Sequence, residues 1–138
     1  MLKRVHHIGV VVKDLEGALQ DYADALGVVP SGIHEVPKQG VRVAFFPVGE
    51  SRIELVQPTD PESGVARFLE KRGEGIHHIC LEVDDLRAAL AALKAKGARL
   101  IDEEPRQGAE GLVAFVHPAS LHGVLLELVQ VEHGDVPR

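Results

Sequence analysis

Histidine pairs and glutamates recur at matching places along the chain, and both side chains are types that bind divalent metals. The pairs are His6-His7 and His77-His78, and the glutamates are Glu54 and Glu127. Imidazole nitrogens and carboxylate oxygens together suit a borderline divalent ion. A buried carboxylate also needs a cation as its partner, and a metal supplies that charge. A single histidine in a strand is more often a core residue, so the prediction of a metal site rests on the recurrence.

The recurrence belongs to an internal repeat of the sequence. VHHIGVVVKDLEGAL at 5–19 returns as IHHICLEVDDLRAAL at 76–90, with eight of the fifteen positions identical. VAFFPVGESRIELVQ at 43–57 returns as VAFVHPASLHGVLLELVQ at 113–130, with three more residues in its turn. Similarity at a fixed offset indicates duplicated structural units. We therefore predict a first module at 1–58, a linker helix at 59–73, a second module at 74–132 and a tail at 133–138.

Each module is predicted to be a βαβββ unit, so the fold class is α+β. The opening strands are predicted at 5–12 and 76–83, and each leads into a helix with apolar residues at helical spacing. Three strands follow each helix. They are predicted at 31–36, 41–47 and 51–57 in the first module, and at 98–103, 112–117 and 123–130 in the second.

Capping residues support the predicted helices. Asp14 and Asp85 stand where an N-cap is expected, and Gly27 and Gly97 follow the expected helix ends. The stripe of the first helix is predicted to run from Leu15 to Leu26. In the linker, Asp60 and Pro61 form an N-cap and N1 pair that predicts a helix ending at Gly73.

Strand alternation predicts which side chains share a face. In the first strand, Ile8, Val10 and Val12 form an apolar face that we assign to the helix side. His7 then lies on the other face, as does Glu54 in the last strand of the module. The same rule places the corresponding side chains of the second module together. The predicted metal ligands are His7, Glu54, His78 and Glu127, whereas His6 and His77 are predicted to lie near the helix side as hydrogen-bonded non-ligands.

Composition and charge exclude several classes of function. The formal net charge of −6 argues against a nucleic-acid partner, which would favour a basic surface. Cys80 is the single cysteine, cannot form an internal disulfide and is predicted to be a small apolar filler. Neither a signal sequence nor a membrane span is recognisable in the chain. We therefore expect a cytoplasmic protein.

The chain resembles the methylmalonyl-CoA epimerases of the vicinal oxygen chelate superfamily along nearly its whole length. The matching stretches include VHHIGVVVKDLEGAL, QGVRVAFFPVG and FVHPASLHGVLLEL. The linker run PESGVARFLEKRGEGIHHI is most specific to the epimerases, whereas the His/Glu quartet is shared with glyoxalase I. The resemblance implies cupped mixed sheets around one divalent metal, with cobalt favoured and manganese, zinc or nickel as alternatives. It also implies a homodimer and a small-molecule acyl-CoA substrate.

The reaction implied by the resemblance interconverts (R)- and (S)-methylmalonyl-CoA through α-proton abstraction and a metal-stabilised enolate. Glu127 corresponds to the catalytic base of the family and is also a metal ligand. Some epimerases carry a second acid/base glutamate shortly after the QGV turn, where this chain has Val43. The second group therefore stays unassigned among Glu54, a metal-bound water and other residues.

Three other functions fit parts of the pattern. A glyoxalase I-type lyase acting on a glutathione hemithioacetal would use the same four ligands and similar enolate chemistry. A non-enzymatic binding protein on the same fold would lack the quartet. An extradiol-type dioxygenase uses two histidines and one carboxylate on iron, and a fourth ligand at Glu54 disfavours it.

Overall fold

A computed structural model describes residues 1–132 as eight strands, three α-helices and two one-turn 3₁₀ helices, and the predicted tail at 133–138 lies outside the described residues. The elements confirm the predicted α+β class with two βαβββ repeats. None of the helices in this part of the chain is long and apolar enough to cross a membrane. The strands and α-helices, in chain order, are β1 (Leu2–Val11), α1 (Leu15–Leu26), β2 (His34–Val36), β3 (Val41–Val48), β4 (Ser51–Pro58), α2 (Gly64–Arg72), β5 (Gly75–Val83), α3 (Leu86–Ala95), β6 (Arg106–Gln107), β7 (Gly111–Val116) and β8 (Leu126–Val131).

The chain divides into two compact units, and each boundary falls inside a strand. One unit is His7–His77, and the other combines Met1–His6 with the chain from His78 onward. The first division lies within β1 and the second within β5. The module boundaries drawn from the sequence repeat, at 1–58 and 74–132, stay a prediction.

The unit His7–His77 forms a sheet in the order β2-β3-β4-β1. β3 is antiparallel to β2 and β4, whereas β1 is parallel to β4, a pairing that requires a crossover such as α1. One sheet face packs on α1, as the strand alternation predicted. Its core consists of Val10, Val12, Leu15, Ala18, Leu19, Tyr22, Ala44, Ile53 and Leu55.

The other unit repeats this arrangement in the order β5-β8-β7-β6, with β5 parallel to β8. Its helix-side core contains Val83, Leu86, Ala89, Leu90, Ala114, Val116 and Leu128. The opposite face holds a smaller cluster of Cys80, Val129 and Val131. Cys80 is fully buried there, and its role as an apolar filler stays a prediction.

The sequence prediction of a strand at 98–103 is wrong. The Phe115 N–H donates to the Asp102 carboxylate at 2.8 Å, while the N–H groups of Ile101 and Asp102 both donate to the Phe115 carbonyl. Because a side chain replaces a backbone acceptor, a regular ladder cannot continue past this point. Leu100 therefore forms only an isolated bridge to Val116. The regular strand that pairs with β7 on this side is the two-residue β6, which begins after the predicted strand.

A side-chain acceptor in place of a backbone acceptor also shortens β2, which was predicted at 31–36 and spans only His34–Val36. The Ser31 hydroxyl accepts a hydrogen bond from the Phe45 N–H at 2.9 Å, and the Ser31 N–H donates to the Phe45 carbonyl. Regular pairing with β3 begins only at His34. Side-chain acceptors at equivalent places thus limit the second strand of both repeats.

The predicted start of the linker helix is also wrong. The Asp60 carboxylate accepts from the Glu62 N–H at 2.9 Å, which is a local turn rather than a helix cap. Ser63 is the N-cap instead, because its hydroxyl accepts from the Ala66 N–H. The helix α2 therefore begins at Gly64, and it ends before Gly73 as predicted.

Helix α1 ends at Gly27 as predicted, with a left-handed backbone (φ 67°) that glycine adopts at low cost. Leu26, however, is 62% exposed and is not part of the packed stripe. The stripe ends one turn earlier at Tyr22, so the last apolar residue of the pattern contacts solvent.

A glutamine in the last strand of each unit caps the helix of that unit. The Gln57 carboxamide oxygen accepts from the Leu15 N–H at 2.8 Å, and the Gln130 carboxamide oxygen accepts from the Leu86 N–H at 2.8 Å. These N–H groups have no partner within their helices. Each cap therefore connects the first turn of a helix to the strand that carries Glu54 or Glu127, the glutamate present in both repeats.

We expect Gln130→Leu to lower the free energy of unfolding by about 1 kcal/mol, because the Leu86 N–H loses its acceptor. Gln130→Glu is the matched control, since it keeps an acceptor oxygen near a helix N-terminus and should cost less. Urea unfolding followed by circular dichroism measures both. Equal losses in the two variants would contradict the capping role.

Candidate metal centre

His7 and Glu54 form the first His/Glu pair, within the unit His7–His77. Gly9 of β1 is the direct neighbour of Glu54 in β4, so His7, two residues earlier, projects from the same face. The His7 Nε2 atom lies 3.8 Å from Glu54 Oε1. Only 11% of the His7 side chain and 26% of the Glu54 side chain are exposed. His7 and Glu54 therefore lie on one sheet face and close together, as the strand alternation in the sequence predicted.

His78 and Glu127 form the second pair, within the other unit. Cys80 of β5 is the direct neighbour of Glu127 in β8, and His78 lies two residues before Cys80 on the same face. The His78 Nε2 atom lies 3.4 Å from Glu127 Oε1. Exposure falls to 9% for the His78 side chain and 14% for the Glu127 side chain.

Both pairs combine side-chain types that bind divalent metals. A divalent ion bound at the usual bond lengths of about 2.0–2.2 Å holds neighbouring ligand atoms roughly 3.0–3.4 Å apart. The two nitrogen–oxygen separations, 3.8 Å and 3.4 Å, are close to that spacing. The protein therefore contains His/Glu groups suited to bind a metal, and His7 and Glu54 belong to such a group of donor atoms.

An aromatic ring lies beside each glutamate, a feature that the sequence reasoning missed. Phe45 is the direct neighbour of Glu54 across β3 and β4, and Phe115 is the direct neighbour of Glu127 across β7 and β8. The His78 ring meets Phe115 edge-on at 6.1 Å. The sequence did contain an indication of this feature, because both phenylalanines belong to the VAF motif that recurs in the two repeats.

A cationic side chain covers each of these rings. The Arg52 guanidinium lies 4.5 Å from the Phe45 ring centroid, and the Arg106 guanidinium lies 5.7 Å from that of Phe115. Such cation–π contacts hold a positive charge over an apolar surface. Arg52 precedes Glu54 by two residues and so projects from the same face of β4.

Comparison with known proteins identifies the family. Residues 6–115 match the model of the glyoxalase/bleomycin resistance protein/dioxygenase superfamily. The chain is 41% identical to the mitochondrial methylmalonyl-CoA epimerase of Mus musculus, over 94% of this chain and 74% of the mouse protein. It is 42% identical to an ethylmalonyl-CoA/methylmalonyl-CoA epimerase of Cereibacter sphaeroides, over 95% of this chain and 100% of that protein. The chain belongs to the methylmalonyl-CoA epimerase family.

A solved structure of the family supports the same assignment. A methylmalonyl-CoA epimerase in complex with methylmalonyl-CoA and NH4+ superimposes with a TM-score of 0.90 at 35% identity, covering 99% of this chain and 100% of the other. The predicted resemblance and the vicinal oxygen chelate fold are thus confirmed. This epimerase-family chain has Val43 on β3, directly between His34 of β2 and Val56 of β4.

The two histidines that were predicted to be non-ligands have other neighbours. His6 is 3% exposed, and its Nε2 atom lies 3.4 Å from Glu110 Oε2. The His77 ring packs edge-on against Phe68 at 4.9 Å. Glu110 is about a hundred residues from His6 along the chain, so periodicity within a strand or helix could not connect the two. That neither histidine binds the metal stays a prediction.

Glu82 is a further buried carboxylate of this epimerase-family chain, on the same face of β5 as His78 and Cys80. Its Oε1 atom accepts a hydrogen bond from Arg4 Nε at 2.7 Å, and Lys3 Nζ lies 3.7 Å from Oε2. Burial acts to raise the pKa of Glu82, but the hydrogen bond and charge of Arg4, with the charge of Lys3, outweigh it and lower the pKa. Glu82 is therefore ionised and paired, which indicates a structural role.

We expect Glu82→Gln to lower the free energy of unfolding by about 1–3 kcal/mol at pH 7, because Arg4 loses its charged partner. A lowered folded-state pKa contributes stability above the unfolded-state pKa, and that contribution is lost as the pH falls through the folded-state value. The gap between wild type and variant should therefore close below about pH 4. Unfolding curves between pH 3 and 7 measure it.

Glu103→Gln is the matched control for that series. Glu103 pairs with Lys94 at 2.7 Å, but the side chains are 65% and 69% exposed. Exposed pairs contribute little to stability, so this variant should behave like wild type. A pH-independent gap for Glu82→Gln would contradict the assigned ion pair.

Proposed function

We propose that this protein is a metal-dependent epimerase that interconverts (R)- and (S)-methylmalonyl-CoA. The observation that carries the proposal is the duplicated pair of a buried histidine and a glutamate, His7–Glu54 and His78–Glu127, in a chain of the epimerase family. Each pair occupies the sheet face away from its helix. The proposed reaction needs an acid or base at the α-carbon and a positive charge near the thioester oxygen. A glutamate is suited to the first task, and a metal ion held by the pairs would supply the charge.

We further propose that His7, Glu54, His78 and Glu127 hold one divalent ion, with cobalt favoured and manganese, zinc or nickel as alternatives. Two imidazoles and two carboxylates form a donor set for a borderline metal, and ligand type does not distinguish these ions. When bound, the ion supplies a Lewis acid that lowers the cost of negative charge on the thioester oxygen. Each histidine and its glutamate stand on neighbouring parallel strands of one unit, so the register of those strands supports the spacing within each pair.

Glu127 is proposed to be the base that takes the α-proton. A thioester α-proton is weakly acidic, so removal requires a carboxylate placed at the carbon and stabilisation of the developing charge. Glu127 is the less exposed of the two glutamates, at 14% against 26%. Partial exclusion of water strengthens the charge interactions on which proton transfer depends. Inversion at the carbon then requires a second proton-exchanging group on the opposite face of the enolate.

The substrate and assembly are proposed from the family. The Cereibacter relative is named for both ethylmalonyl-CoA and methylmalonyl-CoA, so the assay should include both thioesters. A glutathione hemithioacetal should serve as the comparison substrate for a glyoxalase-type lyase, because that reaction would use the same four ligands.

A homodimer in the cytoplasm is the proposed state, and light scattering on the purified protein tests the dimer.

We expect Glu127→Gln to lower α-proton exchange by about 10²–10⁴-fold or more, because an amide cannot accept the proton. The measurement is deuterium incorporation into methylmalonyl-CoA in deuterated water, followed by mass spectrometry. Metal content is measured in the same sample, since Glu127 is also a proposed ligand. Undiminished exchange in a metal-loaded variant would remove Glu127 from the mechanism.

We expect His78→Ala to reduce the bound metal from about one ion per chain to near zero, because a ligand is lost from the site. His77→Ala is the matched control, since His77 is adjacent in sequence but packs against Phe68. Elemental analysis after dialysis gives the occupancy of both variants. Equal metal retention in the two would refute His78 as a ligand.

A further inference from the structure

Asp102, Arg106 and Phe115 form a group of mutual contacts beside the pair His78–Glu127, and all of these residues belong to one unit. Phe115 stands directly opposite Glu127 across β7 and β8, and its ring meets the His78 ring edge-on at 6.1 Å. Side chains of directly opposed residues project from the same sheet face. The phenylalanine ring therefore shares a face with both members of the pair and contacts the imidazole.

Arg106 covers this ring from β6. It lies directly opposite Val113, which lies directly opposite Val129, and Glu127 is two residues before Val129. Arg106 thus shares the sheet face of Glu127. The Arg106 guanidinium lies 5.7 Å from the Phe115 ring centroid, which is within the range of a cation–π contact. The ring is therefore a common neighbour of the guanidinium and of the imidazole.

The Asp102 carboxylate holds Arg106 in place relative to Phe115. It accepts hydrogen bonds from Arg106 Nε at 3.0 Å and from Arg106 Nη2 at 3.3 Å. The same carboxylate accepts from the Phe115 backbone N–H at 2.8 Å. Only 15% of the Asp102 side chain is exposed, against 50% for Arg106. One largely buried carboxylate thus connects the guanidinium to the backbone of the residue whose ring it covers.

The two repeats place a cation over the corresponding ring from different strands. Arg52 of β4 covers Phe45, whereas Arg106 of β6 covers Phe115. In the aligned repeats, Arg52 corresponds to Leu125, so duplication alone does not account for both contacts. Each covered ring stands directly opposite the glutamate of its own pair. The recurrence therefore favours a role of the covered ring in the His/Glu pair beside it.

The chemistry of the guanidinium limits what this role is. A guanidinium has no acceptor atom with which to bind a metal, and its positive charge repels a divalent ion. A contribution of Arg106 to the metal site must therefore act through the phenylalanine ring. Metal sites lose affinity when the groups around the ligands no longer hold those ligands in place.

We propose that Arg106 is a positioning residue for the metal-binding pair His78–Glu127, an inference that rests on the proposed function. The Asp102 carboxylate holds the guanidinium, the guanidinium holds the Phe115 ring, and the ring limits the orientations of the imidazole. A pair that is already ordered loses less conformational entropy when it binds a metal. Arg106 thereby strengthens metal binding although its own charge opposes it.

The test measures the Co²⁺ affinity of the full-length protein by competition with a chelator, together with the visible absorption of the bound ion. Arg106→Gln should weaken Co²⁺ binding by about 10-fold and change the absorption, because the ring and the imidazole beside it are less restricted. Loss of the positive charge alone would have the opposite sign and tighten binding. Lys94→Gln is the matched control, since it removes an exposed, ion-paired cation from α3 and should bind Co²⁺ like wild type.

A double-mutant cycle tests whether Arg106 acts through the ring. Phe115→Leu should weaken Co²⁺ binding by about 10-fold or more, because the imidazole loses its aromatic neighbour. Adding Arg106→Gln to Phe115→Leu should cause no further loss, since the guanidinium then has no ring to hold. Urea unfolding of the metal-free proteins confirms that each variant is folded, and Phe115→Met replaces Phe115→Leu if the latter is not.

Several outcomes would overturn the assignment. Unchanged or tighter Co²⁺ binding by Arg106→Gln would refute the positioning role, and additive losses in the double variant would show that Arg106 does not act through Phe115. Unchanged metal affinity with a raised KM for methylmalonyl-CoA would assign Arg106 to the substrate instead. If the wild-type protein binds no metal, the proposed function fails together with this inference. A wild-type protein that binds metal but does not epimerise would contradict the proposed reaction alone.

Discussion

The charge of two half-buried carboxylates is the constraint on which the arrangement depends. Glu54 and Glu127 stand in the last strand of their sheets, flanked along the strand by apolar residues, and each lies within 4 Å of an imidazole nitrogen. A carboxylate removed from water needs a cation or several donors. A divalent ion satisfies both groups at once, because the imidazole nitrogen and the carboxylate oxygen can both bind it.

Strand register has to be held for these groups to meet. A slip of one residue would turn every side chain of a strand to the opposite face. The last strand of each unit prevents this from two sides. Glu54 projects away from the helix, whereas Gln57 of the same strand projects towards it and caps Leu15. Glu127 and Gln130 are spaced in the same way, and Gln130 caps Leu86. Helix position and ligand position are thus set by one strand.

The sequence predicted the parts of this arrangement that depend on local periodicity. Alternation gave the two faces of β1, β4, β5 and β8, and with them the pairing of each histidine with its glutamate. Helical spacing and capping residues located α1 and α3. These features follow from a residue and its near neighbours along the chain, and they appear twice because the chain is duplicated.

The failures arose where a side chain took the place of a backbone group or where cross-strand register decided the contact. The Asp102 carboxylate and the Ser31 hydroxyl accept N–H bonds from Phe115 and Phe45, which shortens the expected strands. The Asp60 carboxylate forms a turn instead of a cap. The pairing of phenylalanine with glutamate required knowledge of the hairpin register, and alternation within a single strand does not give it.

Duplication also explains why some positions match and others diverge. Binding of a divalent ion favours the same ligand types in each repeat, so the histidine and glutamate can remain alike. A thioester with one acidic C–H bond has no such symmetry, and its two faces require groups that act in sequence. Positions that contact the substrate are therefore expected to differ between repeats. His34 and Arg106 are one pair of corresponding positions that differ, each beside a phenylalanine ring. The two repeats thus keep the phenylalanine at this place while the neighbouring polar side chain differs.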